Sequence, residues 1–260
     1  MSTRLLEDKV LIVTGSTTGI GEAIARRAVS EGAKVLIHGR DRTAGDAVVK
    51  SLGSNATLHI DDLTDPEAAP RLVEAAIKAF GKIDAVCNNA GWSARATLEQ
   101  SDAALFDSVM ALNVRAPMLL IRAAMPHLIR SEGAVVNIGS INQFCGEANL
   151  MIYSMSKAAL LTLSRNLADS YGQKKVRINH FVVGWVISDN ERKLQIKNGL
   201  PTDWHEHPDP HFAPSGKMTS PDDIARQAVF WLSDASRPFS GGVIELEQHP
   251  MVLRNPQKGA

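Results

Sequence analysis

The chain has 260 residues, of which 44% are hydrophobic, so it is long enough for one large domain around a single core. Basic and acidic residues balance at 28 each, and this neutral composition carries no sign of a nucleic-acid or polyanion binder. We therefore expect a small-molecule partner, without nucleic acid or membrane.

The cysteines and the N-terminal region bear on location. Cys87 and Cys145 follow neither metal-ligand spacing nor a disulfide framework, which favours a reducing compartment. The apolar run at residues 10–13 is too short for a signal peptide or a membrane span. These features predict a cytoplasmic protein.

Short runs rich in branched apolar residues alternate along the chain with longer segments of helical spacing. The predicted strands are 9–14, 34–39, 57–60, 83–87, 134–139, 177–183 and 242–247. The predicted helices lie near 20–31, 43–52, 66–80, 102–129, 152–171 and 221–234. This alternation predicts an α/β fold with a doubly wound parallel sheet and helices on both faces.

Two predicted helices carry start and stop signals. Asp65 is expected as an N-cap before Pro66, with Gly81 just beyond the helix end, and Ser220 before Pro221 repeats the pattern. Residues 189–219 interrupt the alternation and are long for a connection inside a compact domain. We predict one domain over residues 1–260, with a substrate-covering insertion at about 189–219.

A glycine-rich loop, TGSTTGIG, follows the first predicted strand. Gly15, Gly19 and Gly21 lie where this strand passes into the first helix. Glycines allow close backbone approach to a ligand, and free N–H groups at a helix N-terminus attract phosphate. The spacing differs from the GxGxxG fingerprint, so a glycine-rich turn without a ligand remains the alternative on this loop alone.

The end of the second predicted strand bears on the choice between NAD and NADP. A carboxylate at this point holds the ribose hydroxyls, whereas an arginine meets the 2′-phosphate. Gly39 stands there and Arg40 follows, which favours NADP, although Asp41 is close enough to reverse the preference. Asp62 ends the third strand and is placed either to reach the adenine or to close a turn.

The stretch YSMSK places Tyr153 and Lys157 four residues apart, on one face of a predicted helix. A phenol has a pKa of about 10 in water, and a neighbouring ammonium lowers that pKa. Tyr153 is therefore a candidate general acid and base, with Lys157 as the group that tunes it. The ordinary alternatives are a core tyrosine and a solvated lysine.

Taken in order, TGSTTGIG, NNAG, Asn113, Ser140 and YSMSK resemble the short-chain dehydrogenase/reductase family over roughly residues 5–247. The resemblance implies a seven-stranded Rossmann-type domain, a nicotinamide cofactor, and hydride transfer between that cofactor and a carbonyl or secondary alcohol. It also implies a homodimer or homotetramer, with segment 102–129 and the Tyr153 helix between subunits. A dinucleotide-binding regulatory or scaffold protein without turnover is the alternative.

The resemblance also assigns site residues. It implies that Asn113, Ser140, Tyr153 and Lys157 are catalytic, with Ser140 donating to the substrate oxygen and Asn113 completing a proton relay. With Arg40 added from the strand-end argument, the expected cofactor-binding residues are Gly15, Ser16, Thr17, Gly19, Ile20, Gly21, Arg40, Asp62, Leu63, Asn88, Asn89, Ala90, Gly91, Asn113, Tyr153, Lys157, Gly184, Val186 and Ser188.

Residues that follow the catalytic elements are expected to face the substrate. They are Trp92, Arg95, Ser140, Asn142, Phe144, Glu147, Met151, Tyr153, Trp185 and Trp204. Arg95 is either a partner for an acidic substrate or a solvated loop residue. The mixture does not separate a sugar or polyol from a cyclic ketone or a β-keto thioester.

The sequence departs from the family pattern at two places. Val183 replaces the proline that usually precedes Gly184, which restores an N–H and predicts a less rigid turn. After the last strand, QHPMVLRNPQKGA replaces the usual Asp-Gly-Gly, which puts the C-terminal wall of the pocket in doubt.

Histidines in the insertion raise the question of a metal. His205, His207 and His211 have spacing compatible with metal ligands, but two prolines intervene and the family chemistry requires no metal. We therefore expect no metal site.

Overall fold

The computed structural model describes residues 4–144, 146–210 and 212–250. Seven strands form one parallel sheet in the order β3-β2-β1-β4-β5-β6-β7. The strands are β1 (Val10–Val13), β2 (Lys34–Gly39), β3 (Ala56–Ile60), β4 (Ala85–Asn88), β5 (Ala134–Ile138), β6 (Arg177–Val183) and β7 (Val243–Leu246). The strand order reverses between β1 and β4, and ligands of open α/β sheets bind at the carboxyl edge beside such a reversal.

Eight α-helices connect and cover these strands in the described ranges. They are α1 (Gly19–Ser30), α2 (Arg42–Leu52), α3 (Ala68–Phe80), α4 (Ala103–Met110), α5 (Ala116–Ser131), α6 (Met151–Tyr171), α7 (Asp189–Lys197) and α8 (Pro221–Leu232). All seven predicted strands and five of the six predicted helices are confirmed with boundaries that differ by a few residues, and the sixth, 102–129, is divided in two.

The sheet separates two apolar cores. Leu11 and Val13 of β1 face a core shared with α1, α2 and α8, whereas Ile12 faces a core shared with α3, α5 and α6. Side chains alternate between the faces of a strand, and every residue of β1 is buried. The apolar run VLIV therefore forms a central strand because both of its faces exclude water.

The predicted start of α3 is wrong by two residues. The helix begins at Ala68, and the Asp65 carboxylate accepts the Glu67 N–H at 3.0 Å in a turn that precedes it. At the other end, Gly81 adopts a left-handed φ of 80°, as a C-terminal glycine is expected to do. The predicted Ser220 cap of α8 is confirmed, because its hydroxyl and Asp223 form a capping box.

The predicted helix 102–129 is two helices joined by a π-helical turn, Ala111–Arg115. In the described part of the chain, the stretch Ala103–Ser131 is long and apolar enough to cross a membrane, judged by length and composition alone. Part of this apolar stretch belongs to the protein core, since Leu120, Ala124 and Leu128 of α5 are buried against the sheet.

Residues 189–219 begin with α7, a helix that the sequence analysis did not predict. The rest of the described segment consists mainly of turns, and its C-terminal end is hydrogen-bonded to the second residue after β7. Gln248 accepts the Ser215 hydroxyl at 2.7 Å and donates to the Lys217 carbonyl at 2.7 Å. The covering role of this segment stays a prediction. Cys145, His211 and residues 251–260 of the tail lie outside the described residues.

Candidate active site

The glycine loop between β1 and α1 has the backbone that a phosphate group requires. Gly15 and Gly19 have φ values of +62° and +60°, which favour glycine. A Cβ on Gly21 would overlap the Gly15 carbonyl, so this glycine lets the helix start against the loop. The N-cap residue of α1, Thr18, makes no side-chain cap bond. The first N–H groups of α1 thus lack a capping side chain and suit an anion.

A cavity of about 430 Å³ lies over this loop, and we call it the glycine-loop cavity. Of the predicted cofactor residues, its wall contains Gly15, Thr17, Gly19, Ile20, Arg40, Asp62, Leu63, Asn89, Ala90, Gly91 and Ser188. Thr18, His38, Gly39, Asp61, Leu112 and Asn190 complete the wall and were not predicted. A phosphate-binding backbone beside polar groups at the ends of β2 and β3 fits a dinucleotide.

Two predicted cofactor residues lie behind the cavity. The Ser16 hydroxyl donates to the Val13 carbonyl at 2.7 Å and accepts the His38 N–H at 3.0 Å, and the residue is fully buried. The Asn88 amide donates to Asn137 at 2.8 Å inside the sheet. Their polar groups already have protein partners, so both residues support the loops, and Asn89 is the one in the wall.

The end of β2 presents an arginine and no carboxylate to the glycine-loop cavity. Asp41 caps α2, accepting the Ala44 N–H at 3.0 Å. Asp62 accepts the N–H and hydroxyl of Thr64, and these two bonds, with the charge of Arg40, lower the pKa of its carboxyl. Arg40 itself is exposed, with no ion pair to another residue of the described ranges.

A second cavity, of about 1220 Å³, is lined by three of the four predicted catalytic residues, Ser140, Tyr153 and Lys157, and we call it the catalytic cavity. Ser140 follows β5, whereas Tyr153 and Lys157 lie on the first turns of α6. The residues that line both cavities are Ile20, Asn89, Gly91, Ser188 and Asn190. The two cavities thus form one continuous site along the carboxyl edge of the sheet.

The environment of Tyr153 favours the protonated form of its phenol. Burial raises its pKa above the usual value, and a hydrogen bond with Ser140 opposes this only in part. The Lys157 ammonium lies 5.7 Å from the centre of the Tyr153 ring and donates to the Ile138 carbonyl at 2.7 Å. The Tyr153 pKa therefore shifts in the direction opposite to the expected lowering, and burial is the largest cause.

Lys157 is itself perturbed. It is 4% exposed, and burial lowers the pKa of its ammonium to about 8. The charged form has no carboxylate partner among the described residues, only the Ile138 carbonyl. Lys157 thus loses its proton near pH 8 and is still mostly charged at neutral pH.

Asn113 holds a loop and does not line either cavity. It is fully buried in the π-helical turn, where its Oδ1 accepts the Trp92 N–H at 2.9 Å. Its Nδ2 donates to the Trp92 carbonyl at 3.1 Å and to the Ser156 hydroxyl at 2.9 Å. With its side chain occupied in this way, Asn113 positions the chain after β4 beside Lys157. The proton-relay role implied for it stays a prediction.

A buried polar row behind Ser140 was missed by the sequence analysis. Asn88, Asn137 and His180 are neighbours across β4, β5 and β6, and Ser164 of α6 joins the row. The row continues from His180 to Gln143, in the turn after Ser140. The signal was present in the sequence, since β4 and β5 each carry one asparagine at or next to an otherwise apolar carboxyl end, and His180 of β6 precedes the apolar run FVV.

The predicted substrate residues divide into two groups. Arg95, Ser140, Asn142, Glu147, Tyr153 and Trp185 line the catalytic cavity. Trp92 and Phe144 point elsewhere, with 46% and 44% of their surface exposed, and Met151 is also outside the wall. Trp204 stacks on Trp185 with ring centres 5.0 Å apart and supports the wall from outside. Glu191, Phe212, Glu247 and His249 line the cavity and were not predicted.

Arg95 is not a free cation. Its guanidinium lies 3.2 Å from the Glu147 carboxylate and 3.3 Å from Asn149 Oδ1. This pairing does not support the expectation that Arg95 holds an acidic substrate. No group of three metal-ligand side chains occurs among the described residues, and His211 of the candidate histidines lies outside them.

Known proteins match this chain over most of its length. Residues 9–199 match the short chain dehydrogenase family. L-fucose dehydrogenase of Bos taurus is 33% identical over 229 residues, which cover 88% of this chain and 84% of the relative. 2-(S)-hydroxypropyl-CoM dehydrogenase 3 of Xanthobacter autotrophicus is 30% identical over 258 residues, which cover 95% of this chain and 98% of the relative.

A solved structure is also similar. A 3-ketoacyl-(acyl-carrier-protein) reductase of Brucella melitensis, complexed with NADH, superposes with a TM-score of 0.81 at 26% identity. The match covers 93% of this chain and 97% of the reductase chain. These relatives do not favour the regulatory or scaffold alternative. The fold, the continuous site and the matched family agree: the chain belongs to the short-chain dehydrogenase/reductase family, as a nicotinamide-dependent oxidoreductase that acts on CH–OH groups of a small-molecule substrate.

Proposed function

We propose that the protein is an NADP-preferring carbonyl reductase or alcohol dehydrogenase in which Ser140, Tyr153 and Lys157 do the chemistry. One observation carries this proposal: these three residues line a cavity that is continuous with the glycine-loop cavity. A substrate in the catalytic cavity can therefore contact the nicotinamide ring of a dinucleotide whose phosphates bind at the glycine loop.

The roles follow from the geometry of the described residues. In reduction, the Tyr153 phenol donates its proton to the substrate oxygen, and in oxidation the phenolate takes that proton back. The Ser140 hydroxyl donates a hydrogen bond to the same oxygen as charge develops on it. Lys157 supplies a buried positive charge that favours the phenolate when it forms. The nicotinamide, when bound, supplies or accepts the hydride.

The cofactor is proposed to be NADP. Gly15, Gly19 and the start of α1 would hold its pyrophosphate, because their N–H groups and conformation suit an anion. Two features support the 2′-phosphate: Asp41 is engaged as a helix cap, and Arg40 lies in the wall of the glycine-loop cavity. The solved relative carries NADH, so the preference requires a direct measurement.

The composition of the chain and its exposed apolar side chains support proposals about the partners, the location and the oligomeric state of the enzyme. A net charge of zero supports a small-molecule partner without nucleic acid or membrane, and the lack of a cysteine pattern supports a cytoplasmic location. We also propose a homo-oligomer, a dimer or a tetramer. Phe106 on α4, Met118 on α5 and Met155 on α6 are exposed apolar side chains that a partner subunit would cover.

Replacement of Tyr153 tests the proposed chemistry. Tyr153→Phe removes the proton donor and is expected to lower kcat by about 10² to 10⁴ while NADPH affinity stays the same. Tyr171→Phe is a matched control, since Tyr171 is the chain's other tyrosine and ends the same helix. Nicotinamide absorbance measures turnover and fluorescence titration measures binding. Full activity in Tyr153→Phe would exclude the proposed role.

A further inference from the structure

The wall of the catalytic cavity carries more carboxylates than cations. Among its described residues, Glu147, Glu191 and Glu247 are acidic, Arg95 and Lys157 are basic, and the imidazole of His249 is the other basic group. Arg95 is already paired with Glu147, and Lys157 is buried against a carbonyl. An anionic substrate would therefore meet no unengaged lysine or arginine among the described residues of this wall, but two carboxylates without a cationic partner.

Those two carboxylates, Glu191 and Glu247, are held by neutral donors. Glu191 Oε1 accepts the Trp185 indole N–H at 2.8 Å and the Gln195 amide at 2.7 Å. Glu247 Oε2 accepts the backbone N–H of Trp185 at 3.1 Å, and its Oε1 accepts that of Gln248 at 2.8 Å. Because each oxygen of an ionised carboxylate can accept two hydrogen bonds, Glu247 retains acceptor capacity on both oxygens.

Gly184 makes room for Glu247. A Cβ on Gly184 would coincide with the Glu247 carboxylate, so any other residue at this turn would displace it. The carboxylate is therefore seated directly at the end of β6, in the same wall as Ser140 and Tyr153. This packing fixes the position of a charged acceptor in the same cavity as the proposed reacting groups.

The same wall offers an aromatic, apolar surface. Trp185 and Phe212 line the catalytic cavity with their rings edge to face at 5.8 Å, and Trp204 stacks on Trp185 from outside. Aromatic faces of this kind pack against the C–H groups of a ring. Carboxylates beside an aromatic surface match a ligand with hydroxyl donors around its edge and C–H groups on its face.

We propose that the substrate is a neutral polyhydroxylated ring, a sugar or a cyclic polyol, and that Glu247 accepts a hydrogen bond from a hydroxyl that does not react. The inference rests on the proposed function and deepens it by naming the substrate class. A carboxylic acid, a phosphate ester or an acyl thioester with an anionic carrier is disfavoured by the charge of the wall. A simple monoalcohol would leave Glu247 without a ligand donor.

A matched substrate series tests the proposal on the full chain with NADP⁺ or NAD⁺. The probes are cyclohexanol, cyclohexane-1,2-diol, an inositol, neutral aldopyranoses and the corresponding uronic acids. In each reaction one ring CH–OH group is oxidised to C=O. Its hydride is transferred to the oxidised nicotinamide, and its hydroxyl proton is released. We expect kcat/KM to rise by about 10- to 100-fold from cyclohexanol to the best polyol, as a hydrogen bond to a charged group allows. Uronic acids should have a lower kcat/KM than the corresponding neutral sugars.

Glu247→Gln identifies the responsible residue. It should reduce the preference for the polyol over cyclohexanol by about 10-fold or more, because it removes the charge from the acceptor. Glu245→Gln is the matched control, since Glu245 is exposed on β7 and outside the wall. If the role of Glu247 were merely structural, the substitution would lower kcat/KM equally for both substrates and leave the ratio of the two values unchanged.

The outcomes separate the two proposals. Oxidation of cyclohexanol without any gain from added hydroxyls, or a preference for uronic acids or amino sugars, would overturn the substrate class and keep the proposed function. An unchanged polyol preference in Glu247→Gln would overturn the role of Glu247. If no member of the series reduces either cofactor, the substrate class falls. If Tyr153→Phe retains full oxidation activity on another alcohol, the proposed function is wrong as well.

Discussion

His180 Nε2 lies 2.7 Å from Gln143 Oε1, the side chain that caps the turn beginning at Ser140. The Gln143 oxygen can only accept, so the imidazole donates from Nε2, while its Nδ1 faces the Ser164 hydroxyl at 3.1 Å. The same oxygen lies 3.5 Å from the Ser140 N–H. Burial and the charge of Lys157 lower the pKa of His180 to about 3, so the ring is neutral. His180 is thus a positioning residue for Ser140.

The contact predicts a difference between two substitutions of similar size. His180→Met removes the donor and should lower kcat by about 10- to 100-fold, because a small misplacement of Ser140 is costly to catalysis. His180→Gln keeps an N–H near the position of Nε2 and should retain most activity. Steady-state kinetics, NADPH titration and thermal melting separate the effects. Equal kcat losses in both variants, in proportion to lost stability, would contradict positioning.

Lys157 predicts a pH dependence of stability. Burial lowers its pKa from 10.5 to about 8, so below pH 8 it is protonated in both states and the folded state carries the full cost. As the pH rises from 8 to 10.5, the unfolded chain binds more protons than the folded one, and this cost disappears. Relative to Lys157→Met, the free energy of unfolding should rise by about 3 kcal/mol over that window. Urea denaturation of both proteins at several pH values measures it, and a constant difference would refute the assignment.

Arg40 predicts the cofactor preference. Arg40→Ser removes the cation in the wall of the glycine-loop cavity and should weaken NADPH binding by about 10- to 100-fold, with little change for NADH. Lys50→Ser is a suitable control, because Lys50 lies in the last turn of α2, outside the wall. Fluorescence titration with each nucleotide gives the ratio of affinities. Tighter binding of NADH by the unaltered protein would reject the proposed preference for NADP.

The exposed apolar side chains of α4 and α5 predict the assembly. Introducing a charge with Phe106→Glu and Met118→Glu together should dissociate the oligomer, because a buried unpaired carboxylate is costly in an interface. Leu98→Glu is the control, since Leu98 is exposed but lies outside the helices. Light scattering after gel filtration gives the mass of each protein. A doubly substituted protein with unchanged oligomeric mass would show that the subunits meet elsewhere.

Local patterns in the sequence determined the order of elements and the central motifs. Runs such as VLIV in β1 are apolar on both faces, and only a strand covered on both sides satisfies them. The glycine loop requires positive φ values at Gly15 and Gly19, and the spacing of Tyr153 and Lys157 requires only a helix. Because these constraints act within a few residues, they could be interpreted without knowing where the rest of the chain lies.

Tertiary structure decided what local patterns leave open. Burial reverses the expected direction of the Tyr153 pKa, pairing with Glu147 neutralises Arg95, and capping withdraws Asp41 from the cofactor wall. The contact of His180 with Gln143 spans 37 residues, and that of Trp185 with Glu247 spans 62. Strand order and the space beside glycines determine which of these distant residues come into contact. The sequence therefore determined the fold and the kind of chemistry, whereas the packing of distant segments decided the charge, protonation and shape of the site.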